Sequence, residues 1–175
     1  MNEELMAIMD VVEYLTTSIK RVKSKYDLKS NNLDVVVSVL QPSHGIKKED
    51  LEKLTDVIQT LSKCRGSVHF HEGEFPGKSS FQFARAKVEG GALEVYVKVE
   101  GLLDLEKELS KVDAKEKKLG HQLKLRMADK ESTSLETKAK DKMEENLKEI
   151  RAALKELSEE RIFLEGYESK CQKPY

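Results

Sequence analysis

Few residues in this chain have the types and spacing that chemistry requires. His69 and His71 fall on one face of a short β-rich run beside Glu72 and Glu74, donor types that hold zinc or a similar ion, but no third ligand follows at a metal-binding spacing. The loop 75–80, FPGKSS, has the glycine, lysine and serine of a phosphate-cradling loop without its G-x-x-x-x-G-K-[ST] frame. Cys64 and Cys171 form no CxxC and lie near no histidine at ligand spacing, which argues against zinc and against a disulfide framework, and suits a reducing compartment. With no acid/base pair, nucleophile or cofactor motif, the chain offers no catalytic residue, no metal site and no cofactor of its own.

Binding chemistry is better represented. Between 115 and 142 nine basic residues (Lys115, Lys117, Lys118, Lys124, Arg126, Lys130, Lys138, Lys140 and Lys142) stand against five acidic ones, Glu116, Asp129, Glu131, Glu136 and Asp141. From 144 to 168 the balance reverses, with eight acidic residues against Lys148, Arg151, Lys155 and Arg161. A cationic stretch of this kind suits phosphate, whose neutralisation supplies most sequence-independent affinity for nucleic acid. The plainer alternative is a solvated helix surface with i to i+4 pairs such as Glu144 with Lys148. The net charge of −1 over 175 residues favours neither, so only local charge bears on the choice.

The elements that must carry these cations are read from periodicity. Leu102, Leu105, Leu109, Val112, Leu119 and Leu123 mark a long helix whose seam is broken at Glu116, and Met143, Leu147, Ile150, Leu154, Leu157 and Leu164 mark a second with Arg161 at its irregular position. The polar stretch ADKESTS at 128–134 connects them. Two helices of similar length with one short connection predict an antiparallel helical hairpin. At 1.5 Å per residue, 102–127 would span roughly 39 Å, long enough to project as an arm. A hairpin centred near residue 133 would leave Glu116 and Arg161 apart, each at a partly open position.

Before the arm, residues 3–26 form a helix with Leu5, Ile8, Met9, Val12, Leu15, Ile19 and Val22 at helical spacing, and Lys20, Arg21, Lys23 and Lys25 at its end suit the helix dipole. Its wide apolar stripe calls for a partner larger than the next few residues offer, as if the chain began partway through a larger domain, and it is suited to docking or self-association. Asp34–Leu40 is a strand, broken by QPSHG; 47–63 is a helix with Leu51, Leu54, Ile58 and Leu61 on one face; 67–71 and 81–88 are strands. Glu89, Gly90 and Gly91 turn the last of these into 92–99, where Leu93, Val95, Val97 and Val99 share one face and Glu94, Tyr96 and Lys98 the other. Across Gly101 the strand period then becomes a helix period.

This junction resembles a known family. VYVKVEGLLDLEKEL at 95–109 is similar to the stretch that leads into the C-terminal coiled-coil arm of valine–tRNA ligases, where a VYV-type strand runs into L-E-G-L-[IV]-D-[LP]. Val95, Tyr96, Val97, Glu100, Gly101, Leu102, Asp104 and Leu105 stand at those positions, and Val99 replaces the usual Leu. SIKRVKSKYDLKSNN at 18–32 resembles the end of the family's anticodon-binding domain, through Ile19, Lys20, Val22, Lys23, Tyr26, Asp27 and Leu28. The resemblance implies an arm that lies along the outer corner of tRNA. It brings no HIGH-type or KMSKS-type motif, so valine activation would lie outside this chain, and the connection 128–136 lacks the aromatic residue and proline common at the family's arm tip.

The expectation is an α+β chain: 1–30 as the terminal helix of an anticodon-binding-like domain, 31–100 as a small βαβββ connector with one sheet, and 101–170 as an antiparallel coiled-coil arm. The high charged fraction, 36%, with 6% aromatics and no Trp, agrees with much exposed helix. The expected partner is tRNA, held by the cations of 115–142; the alternative is a non-catalytic protein-interaction module using the helical hairpin. No apolar run reaches membrane-spanning length, and the acidic start MNEELMAIMD is unlike a signal peptide, so the cytoplasm is the expected location.

Overall fold

The structure, a computed structural model, describes residues 3–40, 47–86, 92–132 and 137–171. It is α+β and divides into two compact units, one ending at Leu103 and one beginning at Asp104. The breaker QPSHG, the turn Glu89–Gly91 and the tip of the connection at 133–136 lie outside the described residues.

In the first unit, α1 (Glu3–Lys25) buries Val12, Leu15, Ile19 and Val22, a 3-4-3 spacing that keeps all four on one stripe. The large partner that stripe demands is supplied within the unit, because α1 packs on strands β3 (Phe83–Ala86) and β4 (Leu93–Lys98) and on helix α3 (Thr55–Ser62). Nearer the start of α1, Met6 and Met9 remain about half exposed.

With β1 (Val35–Val39) and β2 (Val68–Glu72), the strands make one four-stranded sheet in the order β2-β1-β4-β3. β1 pairs parallel to β2 and antiparallel to β4, and β3 pairs antiparallel to β4, with Ala84 opposite Val97 and Ala86 opposite Val95. Directly opposed residues share a face. One face therefore carries Val35, Val37, Val39, Leu93, Val95, Val97, Ala84 and Ala86, all buried.

The opposite face, which carries Glu94, Tyr96 and Lys98, is covered over its middle and open at Arg85 and Lys98. All five residues of β1 are buried, and Tyr96 is only 1% exposed. The cause is the segment after β2, which turns through Gly73 and a 3-10 turn (Pro76–Ser79) and lays Phe75 on the sheet with its ring centre 5.1 Å from those of both Phe83 and Tyr96. The Tyr96 hydroxyl donates to Glu94 Oε2 at 2.5 Å, and Arg85 pairs with the same carboxylate. Burial first, and then the Glu94 carboxylate, push the phenol up to about 12.

The helix expected over 47–63 is two. α2 (Lys48–Glu52) ends at Lys53, and α3 starts after Leu54, whose φ of −102° and ψ of 12° interrupt the helix. Thr55 Oγ1 donates to Glu52 O at 2.7 Å across the break. The rotation changes which residues face inward: Leu51, Ile58, Ser62 and Cys64 are buried, while Leu61 is 44% exposed. Cys64 packs under β1 and donates from Sγ to Leu33 O at 2.8 Å, a structural thiol.

At the strand-to-helix junction Gly101 has φ +73°, the left-handed backbone that favours glycine. Leu102, expected to open the helical seam, is 42% exposed and precedes the helix.

In the second unit, α4 (Leu105–Ser132) and α5 (Thr137–Cys171) pack on each other. Asp104 starts α4 as its N-cap, accepting from Lys107 N at 3.2 Å through Oδ1. α4 also runs further than expected, through Ala128–Ser132, which had been assigned to the connection. Val112, Leu147, Leu157 and Leu164 are buried, whereas Leu119, Leu123, Met143, Ile150 and Leu154 are half-buried.

Glu116 and Arg161, expected to miss each other, pair directly: Arg161 Nη2 lies 2.6 Å from Glu116 Oε2 and Nε 3.4 Å from Oε1. The midpoint of this pair, like that of Lys130 with Glu144, falls a few residues beyond 133. Their partly open positions are as expected, with side chains 30% and 32% exposed.

Candidate nucleic-acid interface

The cations singled out from sequence lie on both long helices. α4 carries Lys115, Lys117, Lys118, Lys124, Arg126 and Lys130; α5 carries Lys138, Lys140 and Lys142. All are exposed except Lys138, whose side chain lies outside the described residues. Lys115, Lys117, Lys118 and Lys124 are exposed because they fall off the apolar seam, whereas Arg126 and Lys130 continue the seam's spacing on the side of α4 that meets α5.

Lys130 is committed elsewhere. Its Nζ lies 2.7 Å from Glu144 Oε1 on the facing helix, which holds that carboxyl below its ordinary value through the hydrogen bond and the charge. The plainer alternative paired Glu144 with Lys148 on its own helix; the cross-helix lysine takes it because position 130 faces α5. The side chains of Lys115, Lys118, Lys124, Arg126, Lys140 and Lys142 have no hydrogen bond or ion pair among the described residues, and the charge of Lys117 acts on Asp113 one turn before it.

These cations do not form a single stripe. At about 100° per residue, Lys117 and Lys124 share one flank of α4 while Lys115 and Arg126 share another. Arg126 lines a groove of about 330 Å³ with Gln122, Leu125 and Asp129 of α4 and Asn146, Glu149 and Ile150 of α5. Two carboxylates in that lining make it a poorer place for phosphate than the flank of Lys117 and Lys124.

Toward the base the charge pattern is closed on itself. Arg161 also pairs with Asp113, whose carboxyl is held below its ordinary value by that bond. Glu108, 3% exposed, accepts from Lys111 Nζ at 2.6 Å. Cations available for a ligand therefore lie from Lys115 outward.

His69 and His71 lie on β2 at an edge of the sheet, where the His71 ring meets Phe75 edge-on at 6.3 Å. Among the described residues no three His, Cys, Asp or Glu side chains converge as metal ligands. FPGKSS forms the Phe75 cap and the 3-10 turn, with Lys78 tied to Glu74 at 2.5 Å.

Sequence reasoning missed a second group of cations. Lys20 and Lys23 near the end of α1 share one groove lining with Lys63 after α3, because the two helices pack together. The charge run at 20–29 was visible as a helix-dipole feature; its union with residues some forty positions later depended on the fold.

Comparison of the chain with protein-family models and with curated proteins gives no match. Among the described residues no helix is long and apolar enough to cross a membrane.

Proposed function

We propose that α4 and α5 form an antiparallel coiled-coil arm that holds tRNA through phosphate contacts, as part of the C-terminal region of a valine–tRNA ligase, in support of valyl-tRNA formation. The observation that carries this reading is the set of exposed cations on two long packed helices, Lys115, Lys118, Lys124, Arg126, Lys140 and Lys142, with Lys117 near Asp113. Cross-helix pairs favour the antiparallel arrangement, since Lys130 meets Glu144 near the connection while Glu116 and Asp113 meet Arg161 farther from it. The family assignment rests on the junction residues, two of which have a physical role here: Gly101 adopts the left-handed turn and Asp104 caps the helix that follows.

The arm's task in this reading is electrostatic positioning. Lys117 and Lys124 on one flank, with Lys118 beside them, would neutralise successive phosphates without reading bases, so the arm would add affinity and orientation and leave tRNA identity to other contacts.

A protein-interaction role for the same helices has one observation in its favour: Leu125 and Met127 are 52% and 42% exposed near the groove between the helices. The two readings separate in one experiment. Fluorescence anisotropy of labelled tRNA across a salt series should give binding that weakens steeply with salt, and changing Lys117, Lys118, Lys124 and Arg126 to Ala should lower the log–log slope by about 3. Absence of tRNA binding at low salt, or an unchanged slope, would reject the arm as a tRNA contact.

A further inference from the structure

The sheet ends on one side at β2, and that edge is open. Val35 N donates to Ser67 O and Gly73 N to Val39 O, both at 2.8 Å, so the odd-numbered residues from 67 to 73 turn their backbone groups toward β1. By alternation the N–H and C=O of Val68, Phe70 and Glu72 point away from the sheet, and no described residue hydrogen-bonds to them. Such an edge is a template for another strand, and proteins commonly blunt it with Lys, Pro, a bulge or a covering element. The opposite edge, β3, is four residues long and carries the exposed Arg85. β2, with the sequence VHFHE, carries no cation other than its histidines and no proline.

The residues along this edge suit a second copy of themselves. A two-fold antiparallel register centred on Phe70 uses the whole strand, setting Phe70 against Phe70, Val68 against Glu72 and His69 against His71. The outward-facing residues then exchange about six hydrogen bonds, two for each of three opposed pairs. No like charge meets its own kind, because the one acid of the strand, Glu72, opposes Val68. Phe70 shares a face with Val37, and the row of buried residues on that face ends at this half-buried ring, which a second Phe70 would cover. His69 and His71 lie on the other face, with Tyr96. They form the non-hydrogen-bonded pairs of the register, in which Cα atoms approach to about 4.5 Å. Two imidazoles so opposed can ligate one zinc ion, with water in its remaining positions. Within one chain these histidines find no third ligand among the described residues, so the second copy completes the site.

We propose that two copies of this chain pair antiparallel through Val68–Glu72, and that His69 of each copy and His71 of the other hold a zinc-class divalent ion between them. The ion has a physical task. A five-residue edge falls well short of the roughly 1,000 Å² expected of a stable interface, so strand pairing alone is weak and ligation supplies the difference. Association is therefore conditional on the metal. His69 is exposed and His71 half-buried, its ring edge-on to Phe75 at 6.3 Å, so both imidazoles border the edge that the second copy approaches. This inference stands on the sheet alone and is independent of the tRNA reading of the long helices.

The test is sedimentation equilibrium of the full chain at neutral pH, in EDTA and in zinc chloride, with amide hydrogen exchange of the same samples. Zinc should tighten self-association about tenfold or more and stop at the dimer, since a ligand held only by the dimer shifts the equilibrium toward it. A variant with His69→Asn and His71→Asn should lose the zinc effect. In the parent, zinc should slow exchange at the outward amides of Val68, Phe70 and Glu72. Glu72→Pro removes one outward N–H and leaves Gly73 N on Val39 O, so with unchanged circular dichroism it should weaken the zinc dimer. A parent that stays monomeric in zinc overturns the proposal and leaves the edge to a strand from another protein. A zinc response that survives loss of both histidines places the metal elsewhere and also overturns it. So does a zinc dimer in which the three outward amides exchange as in the monomer, a readout that needs no variant to fold.

Discussion

Arg161 of α5 holds Glu116 of α4 in a two-nitrogen grip, Nη2 at 2.6 Å and Nε at 3.4 Å, and reaches Asp113 one turn away with the same Nη2. The pair occupies the places where both apolar seams are interrupted, so a charge in one helix answers a charge in the other. Arg161→Ala should lower the Tm of the chain, leaving two carboxylates of α4, Asp113 and Glu116, facing α5 without that cation. Replacing Glu116 and Arg161 together by Leu should recover or exceed the parent Tm, because a continuous apolar seam has no charges to desolvate. A double variant less stable than Arg161→Ala would show that the ion pair, and not seam continuity, holds this part of the helices.

The same contacts give the helix pair an acid limit. Asp113 and Glu144 have carboxyls held below their ordinary values of 3.8 and 4.5 by Arg161 and Lys130. A depressed folded pKa means that the stabilisation is complete above the ordinary values and is lost as pH falls through the depressed ones. Helical signal in thermal melts should therefore hold its Tm from pH 7 to about pH 5 and decline below, and the decline should be shallower in Arg161→Ala. Equal pH dependence in the two proteins would remove Asp113 from the account.

Gly66 lies where β2 begins beside β1, and a Cβ there would stand 2.1 Å from Leu33 O and 2.8 Å from Leu33 N. Both are backbone atoms, and Leu33 O also accepts from Cys64. Gly66→Ala should cost about 1–3 kcal/mol in urea denaturation, the range for forced overpacking. A midpoint equal to the parent's would mean that the strand starts can separate freely.

Tyr96 should titrate late. Its phenol is pushed up to about 12 from an ordinary 10.0, so its share of stability is complete below pH 10 and is lost as pH rises through the higher value. Ultraviolet titration of the parent against Tyr96→Phe should show a difference transition well above that of the other tyrosines. A difference centred near 10 would place the ring in water and contradict the Phe75 cap.

Much of the fold was legible because it depends on short-range periods. The strand alternation at 93–99 and the helical spacing of Val12, Leu15, Ile19 and Val22 each reappear in the structure as expected. What could not be read came from residues far apart in sequence. Tyr96 looked outward because nothing in its own strand reveals that Phe75 will cover it. The break at Leu54 separates α2, which packs on β2, from α3, which packs on α1, and the apolar spacing of Leu51, Leu54, Ile58 and Leu61 fits one helix equally well. Among the candidate cations, exposure was legible from the seam, but the loss of Lys130 to Glu144 depended on how far α4 continues.

The position of β1 in the sheet has a consequence for how the chain matures. β1 is the earliest strand to be synthesised, yet its two neighbours, β2 and β4, both come later, with β4 the last strand of all. Until Leu93–Lys98 has left the ribosome, the most buried strand of the unit has an unpaired edge of valines, the kind of template on which nascent chains stick to one another. Premature stops before residue 93 should therefore yield insoluble chains, while translation pauses that fall after Leu93–Lys98 has left the ribosome are tolerated.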